Sequence, residues 1–376
     1  MESQPWAPFG CILRGGVARA GITMIVVFHS NQIGLRGAEV ALFDYAHFNE
    51  TLLRNTSIVL AKNNKVLEDD RAGSNHPLAL DKFRRRFPLH LYDDVSEIES
   101  ILDKHDVDVF YAIKKGVSDG IESRKRKTVV HAVFKYYEPH GDVYAYISRW
   151  LSDCMTGGAA PYVPHMINLP KVEGTLRGRL GIPRDATVFA RYGSRDSFDL
   201  DFVHDTIARV VKNHPQIYFL FMNTDSFDLH KRINFRTLGK LNKILPGKSN
   251  NRQIIFLPGS SDMHEKALFI NTANAMIHGR KRGETFGLAI GEFSMHNKPI
   301  ITYSGKYLAN HKKYESAHLE ILGSRCFLYD DSKQLARIFL DIHRSKEKLQ
   351  RENWDRYTSL FAPEVVMNKF REVFLK

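Results

Sequence analysis

The sequence predicts an α/β protein made of two similar doubly wound domains that face each other across a cleft. Three observations lead there. The chain has 376 residues, too many for one ordinary core and natural for two domains. Short apolar runs alternate with amphipathic helical patterns, the signature of parallel sheets covered on both faces. The alternation halts at one Gly-, Pro- and Arg-rich stretch, Leu169 to Asp185 (LPKVEGTLRGRLGIPRD), and then resumes with the same grammar.

Each element follows in order. Residues 1–23 lack periodicity and hold a single acid, Glu2, so a flexible N-terminal extension is expected before a fold that starts at Met24. In the first domain, residues 24–170, strands are expected at Met24–Phe28, Ile58–Ala61, Leu89–Tyr92, Val109–Ile113, Val129–Phe134 and Tyr144–Ile147. Helical patterns such as Ala38–Asn49 and Val95–Lys104 lie between them. The stretch from Leu169 reads as the linker. In the second domain, residues 171–355, strands are expected at Thr187–Ala190, Ile217–Met222, Ile254–Leu257, Ala273–Ile277, Ile300–Tyr303 and Cys326–Tyr329. Helices include Phe202–Asn213 and Ser332–Lys346. The chain end from Trp354 is amphipathic through Phe361, Val365, Val366, Phe370 and Phe374. In open sheets of this kind ligands bind beyond the carboxyl ends of the strands, so two such sites would line one cleft.

Composition narrows the function. Hydrophobic residues make up 43% and charged residues 26%, ordinary for a soluble globular protein, and no stretch approaches a membrane-spanning length. The three cysteines, Cys11, Cys154 and Cys326, are odd in number and widely spaced, which excludes a disulfide framework or a zinc ribbon and suits the cytoplasm. The net charge of +12 admits nucleic acid, an anionic membrane surface or a phosphorylated ligand as partner. Basic bursts occur at Arg84–Arg86, Arg124–Lys127 and Arg280–Arg282 without interleaved aromatics, and no helix-turn-helix or zinc-finger spacing appears. No nucleic acid is therefore expected, while peripheral contact with an anionic membrane stays compatible with the charge.

The stretch GETFGLAIGEFSMHNKPIITY, residues 283–303, concentrates the chemistry. Ala273–His278 supplies a strand, Gly279–Gly283 a loop, and Thr285 is expected to cap a helix from about Phe286 to His296. Such an N-terminus offers free N–H groups and a positive dipole end to an anion, and Gly287 permits close approach. Were the anion a diphosphate, Glu284 and Glu292 would grip hydroxyls at its two ends, because eight helical residues rise roughly 12 Å. The pattern alone equally fits a capped helix with a solvated Glu292. Asp199-Leu-Asp201 spells a DxD metal motif, but its place at a helix start predicts capping.

Glu284-x7-Glu292, with Phe286-Gly287-Leu288 after the first Glu and Asn297-Lys298-Pro299-Ile300-Ile301 after the second, resembles the E-x7-E signature of retaining GT-B glycosyltransferases, and more narrowly glycosyltransferase family 4. The resemblance covers nearly the whole chain from Met24 and implies GT-B architecture, two Rossmann-like domains for acceptor and donor. It implies that Glu292 holds the donor ribose and Glu284 meets the transferred sugar. Backbone N–H groups of Phe286, Gly287 and Leu288 would meet the diphosphate. Arg191 matches the arginine of a basic pair that neutralises the leaving group. The lysine expected after it is absent, with Ser197 near its place, so Arg195, Arg280 or Lys281 would substitute. Gly37, in Gly34-Leu-Arg-Gly-Ala-Glu39, would approach the diphosphate from the opposite wall, beside Arg36. His131 matches a histidine on the donor sugar, with His140 a second candidate; the residues alone leave a structural role open for either. His278 and Arg280 are expected to line the donor pocket. The terminal segment, residues 356–376, either crosses back to the first domain, as in relatives, or packs on its own.

The reaction implied is transfer of a sugar from a UDP-, GDP- or ADP-sugar to a hydroxyl of a glycan or lipid-linked acceptor, with retention and with no metal or other cofactor. The competing readings are a same-fold sugar-nucleotide epimerase or phosphorylase, and a non-enzymatic basic protein that binds nucleic acid or anionic lipid.

Overall fold

The computed structural model describes residues 23–227, 252–306 and 314–376. The extension expected at residues 1–23 lies, but for Thr23, outside the described residues. Strands β1 (Ile25–Ser30), β2 (Thr56–Lys62), β3 (Leu89–Tyr92), β4 (Val109–Lys114), β5 (Lys127–Ala132) and β6 (Val143–Tyr146) form one parallel sheet in the order β3-β2-β1-β4-β5-β6. Helices α1 (Gly37–Thr51), α2 (Pro77–Arg86), α3 (Glu97–Lys104) and α4 (Arg149–Thr156) connect or follow them. After the short helix α5 (Arg177–Leu180), a second sheet repeats the plan. It takes β7 (Thr187–Tyr192), β8 (Ile217–Met222), β9 (Ile254–Leu257), β10 (Ala275–His278), β12 (Ile300–Tyr303) and β14 (Phe327–Tyr329), ordered β14-β12-β10-β7-β8-β9. A two-residue pair, β11 (Gly283–Glu284) with β13 (Glu315–Ser316), stands beside it. Helices α6 (Asp201–Asn213), α7 (Met263–Thr272), α8 (Leu288–Met295), α9 (Ala317–Leu322) and α10 (Ser332–Gln350) complete this half, and α11 (Thr358–Phe361), α12 (Pro363–Phe370) and a π-helical turn at Arg371–Leu375 end the chain.

Apolar strands form these sheets because both faces are covered. In β1, Val26 and Phe28 enter one core and Val27 another, as a period of two requires. In the second sheet Phe189, Phe219 and Ile277 pack toward α6 and α10, while Val188, Leu220 and Met276 pack on the other face. The presumed linker is itself packed: Leu169, Leu176 and Ile182 are buried, and Arg177 donates to the carbonyls of Pro183, Ala186 and Thr272. The chain end lies on the first sheet. Phe370 stacks on Tyr45 at 5.3 Å, and Phe374 meets the ring of His131 edge-on at 5.1 Å.

Strand order fixes where a ligand can sit. The connection reverses direction between β1 and β4 in one sheet and between β7 and β10 in the other. The last residues of those four strands, Ser30, Lys114, Tyr192 and His278, all line a single cavity between the sheets.

Candidate donor-binding and active site

The cavity measures about 390 Å³ and is walled by both domains. The N-termini of α1 and α8 meet across it, and neither carries a side-chain cap. A Cβ on Gly37 would stand 3.4 Å from Leu288 Cδ1, so the two helix starts are in near contact. Uncapped starts leave backbone N–H groups without helical partners, and both positive dipole ends point into the space between.

Helix α8 begins later than its sequence suggests. Thr285 does not cap it. Gly287 occupies the N-cap position with φ +88°, a left-handed conformation that no β-carbon favours, and the first helical residue is Leu288. Glu284 consequently sits in an extended segment: Gly283, at φ +82°, brings β11 so close to β13 that a Cβ would fall 2.1 Å from the Glu315 carbonyl oxygen. Phe286 turns its ring into the core against His165, Tyr357 and Phe361, which leaves its backbone at the cavity wall.

The two carboxylates differ sharply. Glu284 accepts from Arg280 Nη1 at 2.8 Å and from His278 Nε2 at 3.2 Å. Burial would raise its pKa, but Arg280 and His278 outweigh burial and hold it at about 2. His278 is fixed in turn through Nδ1, 2.9 Å from Thr302 Oγ1, which also meets His318 Nε2 at 3.1 Å. Glu292, 6% exposed, accepts instead from the Tyr192 hydroxyl. Burial first, and then Asp44 of α1, push its pKa up to about 8 against the pull of Lys82 of α2. At neutral pH Glu284 is an anion and Glu292 a neutral acid.

Arg191 faces the cavity from the end of β7 and is 3% exposed. It is anchored to Thr224 Oγ1, to the Ser194 carbonyl at 3.1 Å and to Ser197 Oγ at 2.6 Å, over the ring of Phe198. Ser197 thus orients the arginine where sequence reasoning looked for a second cation. Burial pulls Arg191 down to about 10 while Glu284 opposes, so it remains charged at neutral pH.

Nine of the expected site residues line this cavity: Gly37, Arg191, His278, Arg280, Glu284, Phe286, Gly287, Leu288 and Glu292. Two do not. His131 is fully buried, its Nδ1 at 2.6 Å from the Tyr111 hydroxyl and its Nε2 at 2.8 Å from the Val163 carbonyl, with burial lowering its pKa to about 4. Both ring nitrogens are committed, which removes it from contact with a ligand in the cavity. Arg195 is outside too, paired with Asp225 and donating to the Asp69 carbonyl at 3.3 Å. Of the other candidates, Lys281 is exposed and His140 bonds Lys114 Nζ at 3.2 Å. Asp199 caps nothing: Leu200 is the N-cap of α6, and the Asp199 carboxylate accepts from the backbone N–H of Lys281 at 2.7 Å, pinning the loop that carries Arg280.

Sequence reasoning missed His165, Lys114 and Tyr192. His165 lines the cavity where His131 was expected, follows the Val163 carbonyl that His131 holds, and touches the Tyr45 hydroxyl through Nδ1 at 3.3 Å. Burial and the neighbouring His131 keep its pKa well below the ordinary imidazole value, so it is neutral. Its signal was a lone His between apolar residues in Val163-Pro-His-Met166, which also describes a core residue. Contacts between the two halves adjoin the cavity: Asn223 Nδ2, from a lining residue, reaches Asp70 Oδ2 at 3.4 Å, and Arg282 lies over the ring of the lining Phe134 at 4.9 Å.

Solved structures share this fold. The chain is similar to Anabaena HepE in complex with UDP-glucose at 14% identity and TM-score 0.68, over 93% of this chain and 98% of that one. It is similar to a glycosyltransferase from Rickettsia africae at 12% identity and TM-score 0.65, over 94% and 98% of the two chains. WaaG, a glycosyltransferase involved in lipopolysaccharide biosynthesis, matches at 11% identity and TM-score 0.60, over 93% and 99%. No protein-family model and no curated relative matches the chain. The likeness establishes an α/β protein of GT-B architecture.

Proposed function

We propose that this chain is a glycosyltransferase of the family 4 type, which moves a sugar from a nucleotide diphosphate sugar to an acceptor hydroxyl with retained configuration and no metal. One observation carries the reading. Two uncapped helix N-termini converge on a cavity whose wall also supplies Arg191, Arg280 and an ionised Glu284. That is a receptacle for a multiply charged anion with a hydroxyl-bearing group attached. The fold it shares with HepE, whose structures hold UDP and UDP-glucose, supports a nucleotide sugar as that ligand.

In this reading residues 24–170 bind the acceptor, a glycan or lipid-linked hydroxyl compound, and residues 171–355 bind the donor. The diphosphate sits between the starts of α1 and α8, with Arg191 and Arg280 on its oxygens. Glu284 accepts hydroxyls of the transferred sugar and Glu292 meets the ribose. As the sugar–phosphate bond breaks, charge grows on the diphosphate, and the fixed cations and N–H groups stabilise it without reorganising. Because Arg191 is already anchored by Thr224, Ser194 and Ser197, little motion is lost when the ligand arrives. The leaving phosphate oxygen takes the acceptor proton as the new bond forms on the same face. A cytoplasmic location and peripheral contact with an anionic membrane belong to the same reading, drawn from cysteine spacing and net charge. Among the described residues no helix is long and apolar enough to cross a membrane.

The test is incubation with UDP-, GDP- and ADP-sugars in the presence and absence of EDTA, with free nucleotide diphosphate and product anomer as readouts. Acceptor-dependent release of one nucleotide diphosphate, unaffected by EDTA, with the donor's anomeric configuration in the product, is expected. Free epimer, or release that requires a divalent cation, would overturn the reading.

A further inference from the structure

The bond between Tyr192 and Glu292 has a consequence for donor choice. Tyr192 is 7% exposed, and its ring is wedged edge-on to Phe269 at 5.8 Å and tilted against Phe293 at 5.6 Å, with Lys266 Nζ 5.5 Å above it. Phe269 and Phe293 are fully buried, so the ring has no free space to swing into on that side. Its hydroxyl donates to Glu292 Oε2. A carboxyl grips a vicinal diol by offering both oxygens, one to each hydroxyl. Here Oε2 already accepts from a side chain that cannot readily leave, so it offers a second hydroxyl one lone pair instead of two.

We propose that Tyr192 takes up much of the Oε2 side of the Glu292 carboxyl, so that the pocket meets the donor ribose chiefly through Oε1 and accepts nucleotides built on 2′-deoxyribose nearly as well as those built on ribose. This rests on the donor reading above and specifies the ligand that site takes. Asp44 from α1 works in the same direction, because it opposes ionisation of Glu292 and leaves only a neutral hydrogen bond for the ribose, about half as strong as a charged one. Tyr192 is a positioning residue in this account; it fixes which oxygen of Glu292 is available and does not itself touch the reacting atoms.

The experiment is calorimetric titration of the full chain at pH 7 with whichever of UDP, GDP and ADP binds most tightly, and with its 2′-deoxy counterpart. The wild-type affinities are expected to differ by less than about fivefold, the worth of one neutral hydrogen bond. Tyr192→Phe frees Oε2 for the second hydroxyl and is expected to raise the preference for the ribonucleotide at least threefold. A residue that merely packed the core would weaken both nucleotides alike. A wild-type preference of fivefold or more, or a ratio unmoved by Tyr192→Phe, overturns the proposal. If that variant fails to fold, the wild-type ratio decides alone. A chain that binds none of the three nucleotides overturns the donor reading itself.

Discussion

Glu284 and Glu292 carry the same functional group, lie close in sequence and border the same cavity, yet the protein holds them in opposite states. Glu284 is ringed by donors, Arg280 and His278, and stays ionised to about pH 2. Glu292 is buried beside a second carboxyl, Asp44; burial first and Asp44 second keep its proton on to about pH 8, although it accepts from the Tyr192 hydroxyl. The difference comes from local backbone geometry. A β-bridge at Gly283 and Glu284 aims the first carboxylate toward the basic loop, while α8 carries the second into the packed interior. The contrast teaches that the cavity is polarised: fixed charge is concentrated where, in the proposed reading, a diphosphate leaving group would form, and the far end would meet hydroxyls without adding a second anion near an anionic ligand.

The contrast breaks most visibly in turnover. Glu284→Gln keeps the shape but removes the charge, and kcat for sugar transfer is expected to fall by ~10²–10³-fold, as for loss of one fixed electrostatic contact to the reacting centre. Glu292→Gln is expected to act mainly on KM for the donor. Steady-state kinetics with donor varied at saturating acceptor separates the two.

Stability versus pH sharpens it next. Glu284→Gln is expected to cost about 2 kcal/mol at pH 7 in urea unfolding, the scale of lost hydrogen bonds to a charged group. Its folded-state pKa is depressed from 4.5 to about 2, so this contribution is complete above pH 4.5 and lost as pH falls toward 2. Glu292 behaves with the reverse sign. The folded chain retains its proton to about pH 8 whereas the unfolded chain releases it near 4.5, so wild-type stability declines across that window. The Tm of Glu292→Gln relative to wild type is therefore expected to rise between pH 4.5 and 8, and a relative fall would contradict the assignment. The smallest effect belongs to Arg195→Ala. Its partly exposed pair with Asp225 is worth less than about 1 kcal/mol, and activity should change by no more than about twofold, because it lies outside the cavity.

Much of this was legible in the sequence. Every strand expected from an apolar run is present, some with the predicted limits, as at Leu89–Tyr92 and Ile217–Met222, because burial on both faces writes an unbroken apolar run. The pair β11–β13 was not, since two residues cannot show a period. The start of α8 was misread because Thr285 is a good cap in isolation, whereas the chain turns through the left-handed Gly287. His131 and His165 could not be told apart by pattern. Both sit among apolar residues, and only the third dimension shows that His131 spends its two nitrogens on Tyr111 and Val163. Tyr192 lies beyond the strand expected at Thr187–Ala190 and carries no signal of its own; its hydroxyl acquires meaning only when β7, which runs on to Tyr192, and α8 are packed together.

The account rests on Glu284 serving the sugar and Glu292 the nucleoside, and comparative titration with UDP and UDP-glucose, or the matching pair for the preferred base, tests this most directly. Glu284→Gln should bind the nucleotide diphosphate no more weakly than wild type while losing the added affinity for the nucleotide sugar, and Glu292→Gln should shift the affinity of both ligands by the same factor. Two variants that respond alike, or a Glu284→Gln protein that loses the nucleotide itself, would contradict the division of the cavity into these two ends.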